Sequence, residues 1–337
     1  MNVAMWAKAL RVIPRITKEE WDKLDVISRW LIATRSAVLV ITFISAALAG
    51  LLAYRAGKFD LGLWLLVTLG LVLAHATNNL VNDVTDFVKG VDKDNYYRAQ
   101  YGPQPLEHGL MTPRQVAVYV GVTGLAALAI GLYLAWFRGT GVWLLLASGV
   151  FFVLFYTFPL KYIGLGELAV LLVWGPLMIG GGYYVITGDW SWPVALAGLP
   201  YALGATTVIF GKHVDKVDAD RAKRIRTLPV LIGEKAARYS VLGMMVLQYV
   251  FVGYLTITGF FTPVVLIVVL ALPTLMRVAA VYRQPRPAGP PANYPPNTWP
   301  LWYVALAFEH NRAFGMFYLL GLIGDLVLRG ALAWFAH

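Results

Sequence analysis

Asn79, Asp83 and Asp86 stand at i, i+4 and i+7 in the segment NNLVNDVTDFVKGVD, and Asp92 closes it. In a helix that spacing turns the three side chains to one face. A second acidic segment, KHVDKVDADRAKRIRTLPV, carries Asp215, Asp218 and Asp220. Asp215 and Asp218 repeat the DxxD spacing of Asp83 and Asp86. Asp220 falls about 140° around an ideal helix from Asp215, so either it faces elsewhere or the helix has ended. Carboxylates gathered at the last turn of a helix repel one another and meet the negative end of its dipole. Hard divalent cations relieve both strains, and Mg²⁺ characteristically takes one or two carboxylates together with waters and substrate phosphates. Two such clusters predict two acidic walls, bridged by magnesium ions to a diphosphate. The alternative is local: each acid pairs with the Lys or Arg beside it, as DKVDADRAKR allows.

The rest of the chain is built for a membrane. Its 337 residues are 59% hydrophobic and only 14% charged, with a mean hydropathy of +0.65, whereas soluble domains carry about a quarter charged residues. Apolar runs able, or nearly able, to cross a ~30 Å hydrocarbon layer as helices lie at 31–54, 61–82, 115–137, 141–158, 165–187, 192–211, 237–258, 262–282 and 301–328. The fourth is short. The expected fold is therefore all-α, a polytopic membrane bundle of about nine transmembrane helices.

Basic residues crowd the N-terminal segment and every second connection, while Arg55, Lys58, Arg138 and Arg329 stand at the opposite ends. The positive-inside rule then places the N-terminus and both aspartate-rich loops in the cytoplasm. The net charge of +10 fits topology control and anionic lipid rather than nucleic acid. Residues 1–30 read as a cytoplasmic amphipathic segment ahead of a transmembrane domain over 31–337, not as a cleaved signal. Within it Trp6, Leu10 and Ile13 fall at helical spacing among Lys8, Arg11 and Arg15, which predicts a short helix on the membrane face. The proline-rich stretch 283–300 predicts an extended tether. With no cysteine, disulfides and thiolate metal sites are excluded. KGVD and GLGE lack the pattern of a nucleotide loop.

On these residues the chain resembles the UbiA superfamily of intramembrane prenyltransferases. NLVNDVTDFVKGVD is similar to its first acidic signature, and the ending of DADRAKRIRTLPVLIG to its second. Residues 156–188, YTFPLKYIGLGELAVLLVWGPLMIGGGYYVITG, resemble the branch that prenylates 1,4-dihydroxy-2-naphthoate in menaquinone synthesis. The resemblance implies nine helices around a central cavity capped by the two loops, and Mg²⁺-dependent transfer of an isoprenoid chain from an allylic diphosphate to an acceptor. It implies that Asn79, Asp83 and Asp86 hold one Mg²⁺ and Asp215, Asp218 and Asp220 the other, with Asp92 assisting. It also matches Tyr156 and Lys161 to a family Tyr and basic residue, and Arg35 to a basic residue of the first helix. The chain departs from the family pattern at His213, where many relatives carry an acid, and this bears on the acceptor more than on the metal.

The implied chemistry is ionisation of the allylic C–O bond as positive charge gathers around the leaving diphosphate. Lys89, Lys93, Arg98, Lys161, Lys212 and Arg226 are the candidate diphosphate contacts, and the resemblance favours Lys161 and Arg226. Phe152, Phe155, Tyr156 and Phe158 could shield the cation, though lipid contact or packing explains aromatics equally well in a membrane protein. Arg35, costly inside a span, binds an anionic group of the substrate or pairs with a carboxylate such as Glu167. His75 and Asn78 suit interhelical hydrogen bonds, and His213 reads as a loop histidine. The partners expected are a polyprenyl diphosphate, an aromatic acceptor and membrane lipid, with no protein partner called for. Other acceptors, namely hydroxybenzoate, a glycerol-phosphate lipid, a tetrapyrrole or a sugar phosphate, stay open. So does a cation-coupled transporter, although that function would put acids at mid-span.

Overall fold

A computed structural model of the chain describes residues 2–93, 102–292, 294 and 299–335. Among these every regular element is helical, and no strand occurs. Arg98 and part of the proline-rich stretch lie outside the described residues.

Three short helices come first: α1 (Val3–Arg11), α2 (Lys18–Asp22) and α3 (Val26–Ala33). The long apolar helices follow as α4 (Ser36–Arg55), α5 (Leu61–Val88) and α6 (Pro113–Arg138), then the shorter α7 (Thr140–Phe155). Next come α8 (Gly166–Thr187) and α9 (Trp192–Asp215). Two short helices, α10 (Val217–Ala222) and α11 (Leu228–Ile232), lead to α12 (Glu234–Ile257), α13 (Pro263–Tyr282) and α14 (Tyr303–Phe335). Eight of these are long and apolar enough to span a membrane. The 16 residues of α7 reach about 24 Å at 1.5 Å per residue, short of a full crossing. The protein is thus a multi-pass integral membrane protein.

Local sequence explains the boundaries. Thr112 caps α6, its hydroxyl accepting the Gln115 N–H while Gln115 returns to the Thr112 N–H, and Pro113 sits in the first turn, where a missing N–H costs nothing. In α8, Val173–Gly180 winds as a π-helix around Pro176, which cannot donate to the ladder. The expected first span, 31–54, is interrupted. Its chain breaks at Thr34 and Arg35, whose φ is +55°, and α4 begins at Ser36. Arg35 therefore stands at the entrance of a span rather than within one. Conversely α5 runs beyond residue 82, through both aspartates of the first signature.

The chain divides into two compact units, Met1–Ile44 with Leu65–Leu160, and Ser45–Trp64 with Lys161–His337. In the first, Ala9, Trp21, Ile32, Leu80, Leu110 and Val116 share a core. Here α1 differs from expectation. Trp6 turns inward, its indole N–H donating to Asp25 at 3.1 Å, and Ile13 lies past the end of α1. Asp25 also accepts the backbone N–H groups of Asn2, Ile27 and Ser28 and the Ser28 hydroxyl. Against the upward push of partial burial, the Ser28 donors, the Trp6 indole and the Asn2 N–H hold its carboxyl well below the usual carboxylate range. An ionised Asp25 thus caps α3 and straps α1 to it.

In the second unit α9 is the central helix. Its apolar window is 78% buried, and it packs against α8, α12 and α14. Close approach to α14 depends on Gly211, where a Cβ would lie 2.9 Å from the Tyr282 hydroxyl and 3.0 Å from the Tyr303 carbonyl and Val304 Cα. Backbone cannot yield as a flexible side chain does. Gly211→Ala is accordingly expected to destabilise the protein by about 1–3 kcal/mol, read as a lower melting temperature after purification. Gly243→Ala, on an open part of α12, serves as the control and should not lower it.

Candidate functional site

The first signature is folded as its spacing predicts. Because α5 continues unbroken, Asn79, Asp83 and Asp86 rise along one face, and all three are buried. Burial of carboxylates requires compensation, and the break after α3 provides it. The Arg35 guanidinium donates to Asp83 and, at 3.1 Å, to Asn82 Oδ1. The Asn79 amide donates to the Thr34 carbonyl at 2.8 Å, leaving its own carbonyl oxygen for other use. Asn82 Nδ2 donates to Asp86 Oδ2 at 3.1 Å and to Thr157 Oγ1 at 3.0 Å. Asp92, also buried, accepts from the Gln104 amide at 3.0 Å, and the same amide reaches the Asp83 carbonyl at 2.9 Å. Lys89 lies 3.7 Å from the Phe158 ring centroid. Asn82, Gln104 and Thr157 were not singled out from sequence; of these, only Asn82, beside Asp83, carried any signal.

The second signature is not folded as a copy of the first. Helix α9 ends at Asp215, and Lys216 separates it from α10. Asp215 turns to the start of α14, accepting the Tyr303 N–H at 2.8 Å and the Val304 N–H at 3.0 Å. It caps a helix 88 positions away. Asp218 is exposed and pairs with Arg221 at 3.1 Å. Asp220 is buried, with Oδ1 on Lys216 at 2.9 Å and Oδ2 lacking any hydrogen-bond partner. The shared face expected for Asp215 and Asp218 is therefore replaced by three separate environments, and the local pairing that the sequence allowed is present for Asp218 and Asp220.

His213 is corrected as well. It lies within α9, buried, with Nδ1 2.6 Å from Glu167 Oε1, while Glu167 Oε2 accepts the Leu228 N–H at 3.4 Å. Glu167 is thus the partner of His213, and Asp83 the partner of Arg35. His75 and Asn78 behave as expected, His75 bonding Thr42 at 2.8 Å and Asn78 the Val153 carbonyl at 3.0 Å. Lys161 is buried in a 3₁₀ turn, Leu160–Ile163, whereas Arg226, Lys89 and Lys93 are exposed and Lys212 is half-buried. Tyr156 follows the end of α7. Phe155 and Phe158 are exposed, Phe155 lining an apolar groove with Leu128, Trp143 and Val150.

The donors suit magnesium chemically, being carboxylate and amide oxygens. Among the described residues no three His, Asp or Glu side chains gather as a ready cage. The acids stand singly or in pairs, and Asp220 Oδ2 is a buried acceptor without a donor. Carboxylate oxygens are of the kind that Mg²⁺ takes together with waters and substrate phosphates.

The UbiA prenyltransferase family pattern matches residues 43–301. The 1,4-dihydroxy-2-naphthoate octaprenyltransferase of Escherichia coli is 30% identical over 62% of this chain and 70% of its own. A UbiA prenyltransferase domain-containing protein 1 homologue of Drosophila melanogaster is 29% identical over 62% of this chain, which spans 59% of that relative's length. The zebrafish counterpart is 26% identical over 92% and 89%. Among solved structures, an apo UbiA homologue from Aeropyrum pernix superposes with a TM-score of 0.63 at 18% identity, covering 85% of this chain and 97% of its own. A homologue from Archaeoglobus fulgidus bound to GPP and Mg²⁺ gives 0.56 at 16%, covering 87% and 99%.

Proposed function

Because the chain belongs to the UbiA prenyltransferase family, we propose that it transfers a polyprenyl group from an allylic diphosphate to an aromatic quinone precursor. The favoured acceptor is 1,4-dihydroxy-2-naphthoate, supported by the match to the E. coli octaprenyltransferase. The observation that carries the proposal is the first signature, buried oxygen donors held on one face of α5 and neutralised by Arg35.

On this reading Asn79, Asp83 and Asp86 hold one Mg²⁺, and Asp218 and Asp220 hold a second, each taken up together with diphosphate oxygens. Bound Mg²⁺ supplies neutralisation of the charge that grows on the leaving group. Arg35 orients Asp83 by pairing with it. Asn82 does the same for Asp86 by donating to it. Lys161 and Arg226 contact diphosphate oxygens. As the allylic C–O bond breaks, its electron pair leaves with the diphosphate; an electron-rich ring carbon of the acceptor bonds to the freed allylic carbon and then loses its own substituent, a proton or a carboxyl group as CO₂, which restores the ring. Sidedness follows the positive-inside rule, with both signatures cytoplasmic.

Purified protein supplied with a radiolabelled prenyl diphosphate, Mg²⁺ and a panel of acceptors is expected to form labelled product with dihydroxynaphthoate. EDTA should reduce it to background and added Mg²⁺ restore it. Product from hydroxybenzoate or a glycerol-phosphate lipid alone would reassign the acceptor. Absence of product with every acceptor would overturn the reading.

A further inference from the structure

Within the first unit, α1 has two apolar faces rather than one. Met5, Trp6 and Ala9 turn inward, Ala9 and Met5 onto the core of that unit and Trp6 onto Asp25. Val3, Ala7 and Leu10, at i, i+4 and i+7, form a second stripe, with Val3 63% and Leu10 55% exposed. Lys8 and Arg11 line the adjoining arc of the helix, both exposed. Residues 1–18 contain four basic residues and no acid.

The surroundings of this stripe are fixed by the chain itself. Asp25 straps α1 to α3, and only Thr34 and Arg35 separate α3 from α4, a membrane-spanning helix. The stripe is therefore tied within the length of one eight-residue helix, about 12 Å, of the level where a span begins. An apolar flank beside a basic flank at that level matches acyl chains beside phosphate headgroups, as interfacial helices exploit.

We propose that α1 is a lipid-contact plate, whose Val3–Ala7–Leu10 stripe beds among acyl chains while Lys8 and Arg11 bind the phosphates of anionic lipid. Lys8 and Arg11 give the plate its preference for an anionic surface, since each basic residue near such a surface adds roughly a factor of five in affinity. This role is independent of the transfer chemistry, and it can be tested without turnover.

The absence of cysteine permits single-site labelling with no background. Leu10→Cys would be introduced into the full chain, reconstituted in nanodiscs of phosphatidylcholine alone or with phosphatidylglycerol, and treated with a membrane-impermeant maleimide. Labelling is expected to slow about tenfold in the anionic discs, and to recover in 0.5 M salt or when Lys8→Gln and Arg11→Gln are added. Glu19→Cys, on exposed α2, should label at one rate in both discs. Equal labelling of Leu10→Cys in the two lipids overturns the proposal. So does slow labelling that persists in detergent, which would assign the stripe to a protein contact.

Discussion

Asp83→Ala is expected to abolish turnover and to destabilise the protein by about 3–5 kcal/mol, the scale set by stranding one member of a buried ion pair. Arg35 loses its carboxylate and keeps its bond to Asn82. Its side chain is 11% exposed and that of Asp83 3%, so water cannot replace the lost carboxylate. Turnover and folding therefore fail together in the single variant, and neither loss by itself identifies a metal ligand. The double variant Arg35→Met/Asp83→Leu separates them. Replacing both members of a buried pair with apolar side chains of similar volume is close to neutral, and the Asn79 bond to the Thr34 carbonyl still ties α5 to the break after α3. Its melting temperature should return to near the wild-type value while turnover stays at background. A stable double variant that transfers the prenyl group would reduce Asp83 to a structural partner of Arg35 and remove the proposed ligand.

That pair also shows where sequence reasoning reaches and where it stops. Spacing along α5 gave the face shared by Asn79, Asp83 and Asp86 because the helix has no break, and the apolar runs located the spans within a few residues. The carbonyl of Thr34 and the guanidinium of Arg35 entered that face only because the chain leaves helical geometry at φ +55°, a local event hidden inside an apolar run. The same limit misled at Asp215 and Asp218. Their DxxD spacing implies a shared face only while the helix continues, and α9 ends at Asp215, where a backbone N–H pair from Tyr303 and Val304 supplies an unforeseen partner. His213 looked like a loop residue because it sits among charges. Its burial follows from Glu167, 46 positions earlier, which composition and periodicity cannot connect to it.

The three acids of the second signature should therefore fail in three different ways. Asp215→Ala is expected to lower stability by about 1–3 kcal/mol for each backbone donor it orphans at the start of α14, and to lose turnover through that loss. Asp218→Ala removes an exposed pair with Arg221 worth about 0–1 kcal/mol, so its melting temperature should match wild type. If Asp218 holds Mg²⁺, its turnover nevertheless falls by about 10²-fold, the scale of losing one electrostatic stabiliser, and the Mg²⁺ concentration needed for half-activation rises. Asp220→Asn keeps an oxygen near Lys216 but withdraws the charge from a pair whose side chains are only 12% and 3% exposed, so it should raise the Mg²⁺ requirement and also lower stability, by less than full removal of the carboxylate would. Melting curves and Mg²⁺ titrations of the three variants read these outcomes apart. Wild-type Mg²⁺ requirements in both Asp218→Ala and Asp220→Asn would confine metal binding to the first signature, and the second would then be a helix cap with two local ion pairs.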